Sequence, residues 1–98
     1  MPRAALKKDH IVAVLRQLRV ARDLSQERLA ERSGVDRTTV GKYERKVLSP
    51  TLLKLDQLLV AMDVSWGDFG KALDIEIAAA NESRGAARAR RPPARRAP

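Results

Sequence analysis

The chain has 98 residues, a formal net charge of +8 from 20 Lys/Arg against 12 Asp/Glu, 44% hydrophobic residues and no cysteine. That length allows one small domain and a tail, and the missing cysteine excludes disulfides and thiolate metal sites. No apolar run reaches the ~20 residues of a membrane-spanning helix, and Met1 to Lys8 lacks the apolar segment of a signal peptide, so a cytoplasmic protein is expected.

Asp9 is a natural helix cap, and Ile11, Val14, Leu15, Leu18 and Ala21 follow at three- and four-residue spacing. That is one apolar stripe on a first helix of about four turns. His10, at its start, is expected on the surface. Ser25 caps a second helix, Gln26 to Ser33, with Leu29 and Ala30 facing inward. Gly34 ends it, because glycine takes a left-handed backbone without steric cost. Asp36 caps a third helix running from Arg37 to Lys46, with Val40 and Tyr43 on its buried side. Ser49-Pro50 predicts the next start, serine as cap and proline at the first helical position. Leu52, Leu55, Leu58, Leu59 and Met62 make this fourth helix a core element. Ser65 with Asp68 three residues on resembles a capping box for a fifth helix. Trp66, Phe69 and Leu73 form its inner face, and it runs to about Asn81. From Glu82 the stretch "ESRGAARARRPPARRAP" has no large apolar residue and contains Pro92-Pro93. It cannot bury enough surface to offset ordering and is expected to be disordered. No strand pattern appears. The expectation is an all-α, five-helix domain over residues 9–81 and a disordered basic tail over 82–98.

Charge is unevenly placed. Residues 1–80 hold 14 Lys/Arg against 11 Asp/Glu, whereas the tail holds six Arg against Glu82 alone. A basic chain with a more basic tail points to a polyanion, nucleic acid before an anionic membrane. His10 is the only histidine. No carboxylate pair, nucleophile motif, ligand cluster or phosphate-cradling glycine loop accompanies it, so no enzyme activity, cofactor or metal is expected.

Residues 25–45 have the spacing of a helix-turn-helix. Two helices too short to persist alone meet at a glycine corner, with small Ala30 where they cross. The Leu24-Ser25-Gln26 entry, the Glu44-Arg45 exit, Ser49-Pro50 and Val64-Ser65 stand in the matching register. Together they resemble the lambda repressor/Cro-like family, the xenobiotic-response-element family of bacterial and phage regulators. The resemblance spans about Ile11 to Leu73. It implies a compact lambda repressor-like fold and a sequence-specific double-stranded DNA-binding transcriptional regulator, expected to be a repressor. Its third helix, 36–46, would enter the major groove, which admits an α-helix.

By that resemblance Arg37, Thr38 and Lys42 read bases. Arg37 can grip guanine O6 and N7 with two hydrogen bonds, Lys42 can approach the same acceptors, and Thr38 can touch a base edge or a thymine methyl. The reading that Arg37 and Lys42 only hold phosphates stays open. Gln26 matches a glutamine that binds a phosphate and braces a base-reading side chain. Ser25 shares that anion-attracting helix end. Thr39, Arg16 and Lys46 are further phosphate candidates. Arg19 and Glu44 match a structural ion pair that sets the angle of the third helix. The sequence departs from the family where Lys46 replaces a frequent glycine, where Val47 and Leu48 replace a polar loop, and at Gly41 inside the reading helix.

The resemblance also implies a homodimer on a palindromic operator, with half-sites about one DNA turn apart. Val47, Leu48, Leu53 and Val60 have no place on the core stripes and are candidates for its surface. The tail is expected to add sequence-independent affinity through counterion release. A nucleoid-associated protein of bacterial or phage origin fits these features. A protein-binding regulator, such as the antitoxin of a toxin–antitoxin pair that also binds its own operator, would use the same apolar residues and remains an alternative.

Overall fold

The computed structural model describes residues 3–89, with side chains through Glu82. Five helices follow in order: α1 Lys8–Ala21, α2 Gln26–Ser33, α3 Arg37–Glu44, α4 Leu52–Ala61 and α5 Trp66–Ala89. There is no strand among the described residues.

The helix starts show which local signals act. Ser25 Oγ accepts from the Arg28 N–H, Asp36 Oδ2 from the Thr39 N–H and Ser65 Oγ from the Asp68 N–H, at 3.0, 3.3 and 3.0 Å. Each satisfies a backbone donor that the helix itself cannot. Two expected caps move. α1 begins at Lys8, and His10 Nδ1 accepts from the Lys7 N–H at 3.0 Å. His10 is buried rather than on the surface, and its Nδ1 takes the acceptor place that Glu or Gln takes in a capping box. α4 is capped by Thr51, whose Oγ1 accepts from the Lys54 N–H at 3.2 Å, and Ser49 stays outside. The Thr51 hydroxyl takes the capping role one residue beyond the proline.

The helix ends share a second device. At the ends of α1, α3 and α4, a residue of left-handed backbone closes the last turn: Asp23, Lys46 and Asp63, with φ of 55, 66 and 57°. At the end of α3, the Lys46 and Val47 N–H groups donate to the Tyr43 and Lys42 carbonyls at 3.0 and 2.9 Å. This double bond pattern suits glycine best, since a Cβ is strained there. It also stops α3 at Glu44, two residues before the expected end.

The core gathers Val12, Val14, Leu15, Leu24, Leu29, Val35, Val40, Tyr43, Leu55, Leu58, Leu59, Met62, Val64 and Phe69. Val12 joins the α1 stripe and Ala21 leaves it, because α1 is covered by both α3 and α5 and its buried face is wider than one stripe. Two expected core residues face outward. Leu52 is 73% exposed on the outer side of α4. Trp66 is 45% exposed, with its edge against Phe69 and its indole N–H donating to Asp56 at 2.9 Å. A polar ring nitrogen that finds a carboxylate at the rim has less reason to enter the core.

α5 packs on α1, with Phe69 and Ile77 buried and Ala72 and Leu73 half-buried, and Gln17 Nε2 donates to Glu76 Oε1 at 2.8 Å. The helix then continues to Ala89, into the segment expected to be disordered. Ala, Glu and Arg are strong helix formers, which favours continuation of the helical backbone. The rest of that segment, 90–98, lies outside the described residues.

Candidate nucleic-acid interface

α2 and α3 meet at a corner made by three neighbouring residues. Gly34 has φ 77° and donates its N–H to the Ala30 carbonyl at 2.9 Å. Val35 is buried beneath the corner, and Asp36 opens α3. Half-buried Ala30 lets the backbones approach.

α3 therefore has two unlike faces. Val40, Gly41 and Tyr43 are buried, whereas Arg37, Thr38 and Lys42 are exposed in one row and Thr39 is half-buried. Burial pushes the Tyr43 phenol pKa up. The row holds two cations and a hydroxyl, complementary to a polyanion with acceptor edges.

Behind that row, Glu44 gathers the first three helices. Arg19 Nε and Nη2 donate to Glu44 Oε2 and Oε1 at 2.6 and 2.8 Å, and Arg19 Nη1 donates to the Leu24 carbonyl at 2.6 Å. Gln26 Nε2 donates to Glu44 Oε1 at 3.1 Å, and Arg16 Nε lies 3.9 Å from the same oxygen. The Glu44 side chain is only 6% exposed and that of Arg19 12%. Burial by itself would raise the Glu44 pKa. Hydrogen bonds from Arg19 and Gln26 and the charges of Arg19 and Arg16 outweigh it and hold the carboxyl below its usual range. The same pairing, against the cost of burial, raises Arg19. The two-pronged bond fixes direction as well as distance, so α3 is held at one angle to α1.

The remaining candidates have distinct settings. Ser25 is exposed and already caps α2. Gln26 is half-buried with its amide on Glu44, not projecting freely. Arg16 and Lys46 are exposed, Lys46 in its left-handed turn. Two residues outside the expected site, Arg45 and Glu27, join it. A Cβ on Gly41 would lie 3.0 Å from Arg45 Nη1 and 3.6 Å from Gln26 Oε1. Gly41 thus leaves room for those two side chains and is covered by them. Glu27, on the first turn of α2, lies 3.5 Å from Arg37 Nε through Oε1. Neither residue has a pattern in the sequence that separates it from other surface charges.

A second surface lies on the outer side of α4. Val47, Leu48, Leu52, Leu53 and Val60 are 43–80% exposed, and Trp66 joins α4 through Asp56. The one notable cleft among the described residues, lined by Ala4, Ala5, Lys7, His10, Ile77 and Asn81, shares no residue with the α3 row. No helix among the described residues is long and apolar enough to cross a membrane.

The helix-turn-helix family profile matches residues 15–69. The wild-type restriction-modification controller protein C.Esp1396I is similar at 27% identity and a TM-score of 0.71, over 76% of this chain and 97% of that one. The same figures hold for its tetramer in complex with its natural 35 base-pair operator. A helix-turn-helix transcriptional regulator from Vibrio cholerae is 32% identical with a TM-score of 0.61, over 63% of this chain and 35% of that one. No curated protein gives a significant match.

Proposed function

The chain belongs to the helix-turn-helix family, of the lambda repressor/Cro-like type, and from this premise we propose that it is a sequence-specific, double-stranded DNA-binding transcriptional repressor. The observation that carries this reading is the outward row of Arg37, Thr38 and Lys42 on a helix whose opposite face is buried and whose end is clamped by Arg19. The row enters the major groove. Arg37 and Lys42 take guanine acceptors, and Thr38 takes a neighbouring edge or methyl. Ser25, Gln26, Thr39, Arg16 and Lys46 approach phosphates and set the register. Gln26 serves either Glu44 or the DNA with its amide, while the first turn of α2 offers backbone N–H groups to an anion.

A second copy of this chain covers the outer face of α4. Leu52, Leu53 and Val60 on α4 are 70–80% exposed and Val47 and Leu48 are exposed in the loop before it, and the similar controller protein is a tetramer on a 35 base-pair operator. An isologous contact through α4 presents two copies of α3 to two half-sites related by a dyad. The antitoxin alternative places a different protein on the same face.

Selection of bound sequences from a random DNA pool tests the reading. A palindromic motif containing guanine, with half-sites about one turn apart, is the expected result. Equal retention of every duplex refutes it. Sedimentation separates the two occupants of α4: a dimer is expected, and a monomer both free and on DNA removes the second copy.

A further inference from the structure

We infer that Glu27 is a positioning residue that aims Arg37 and makes its reading selective, an inference that rests on the DNA-binding function proposed above. Glu27 Oε1 lies 3.5 Å from Arg37 Nε, and both side chains are well exposed, 68% and 59%. Exposed pairs of this kind contribute little to stability. The geometry of this one suits a different task. Glu27 sits on the inner side of the guanidinium, at Nε. The approach is an ion pair to Nε, away from Nη1 and Nη2, the pair that matches guanine O6 and N7. A carboxylate at Nε restricts the swing of a long side chain while leaving its fork open.

Glu27 also carries a negative charge on the face offered to DNA, where each phosphate repels it. When Arg37 meets guanine, the carboxylate helps to align it and the repulsion is offset. When the base offers no matching acceptors, the repulsion remains. Glu27 thus raises discrimination while lowering general affinity, as a repulsive element does in other specific interfaces.

The test uses the full chain, the duplex recovered by selection, and duplexes in which each half-site guanine is replaced in turn by adenine. Affinities and melting temperatures are measured for wild type, Glu27→Gln, Glu27→Asp, Arg37→Ala and the double variant Glu27→Gln/Arg37→Ala. At one guanine position, Glu27→Gln narrows the preference over adenine by about two- to fivefold, the factor matching the coupling of an exposed pair. It does so chiefly by tightening the adenine duplex. Glu27→Asp keeps the charge but withdraws it by one methylene, so the preference narrows without general tightening. Once Arg37 is alanine, Glu27→Gln tightens both duplexes alike and leaves the ratio unmoved. Melting temperatures stay together throughout the Glu27 series. Equal tightening of all duplexes with Arg37 present, or the same narrowing without Arg37, overturns the inference and reduces Glu27 to a bystander charge. If wild type prefers no duplex at all, the DNA-reading function itself fails, a result distinct from either.

Discussion

The two sides of α3 use the same chemistry to opposite ends. Behind the helix, Arg19 and Glu44 meet through two short bonds and are almost wholly shielded. In front of it, Arg37 and Glu27 meet at 3.5 Å in water. Shielded charges cannot fall back on solvent, so the rear pair must be complete, and its geometry is rigid. Wet charges hold each other only loosely, so the front pair can steer Arg37 while its fork still turns to meet a base. A reading helix needs both: a fixed angle and movable fingertips.

The strongest way to break this contrast is Glu44→Ala. Removing the carboxylate leaves Arg19 shielded and alone, and the chain should lose ~3–5 kcal/mol of stability. Thermal unfolding checks it, and an unchanged Tm means that the rear pair contributes nothing. Acid offers a gentler version. Because the folded pKa of Glu44 is depressed, its contribution is fully present above the ordinary glutamate value of ~4.3 and is lost as pH falls through the lower folded value. Denaturant unfolding followed from neutrality to acid should show that loss in wild type, and a shallower one in Glu44→Gln.

On the front face Arg37→Ala should remove ~1–3 kcal/mol of discrimination at one guanine position. Its Tm should stay close to that of wild type, since surface substitutions away from packing usually matter little. Competition binding against duplexes changed at single positions measures the first, calorimetry the second. A large fall in Tm would place Arg37 with the rear pair. Lys46→Gly should stabilise the fold by about 1 kcal/mol by relieving left-handed strain at φ 66°. The same change should weaken binding to all duplexes alike if Lys46 touches a phosphate. A stability gain without weaker binding would leave Lys46 a turn residue alone.

The features legible in the sequence were those whose causes lie within a few residues. Ser25, Asp36 and Ser65 cap because a short side chain reaches a donor three residues on, and Gly34 turns because it lacks a Cβ. Where two local signals competed, the nearer context decided. Ser49-Pro50 looked like a start, yet Thr51 holds the cap. His10 looked like a surface residue because nothing in its spacing declares which nitrogen will find a backbone donor. Among the candidate site residues, the exposure of Arg37, Thr38 and Lys42 followed from helical period against Val40 and Tyr43. The partners Glu27 and Arg45 did not follow, since any exposed charge could have stood there.

By itself the sequence determined five helices, the caps at Ser25, Asp36 and Ser65, the corner at Gly34, and which side of the third would be wet, because each depends on backbone chemistry and period over one or two turns. Only the tertiary structure decided that Leu52 and Trp66 face outward, that His10 and Val12 face inward, and that Gln26 gives its amide to Glu44. Those outcomes depend on which helix covers which, and a side chain's burial is set by neighbours that lie tens of residues away along the chain.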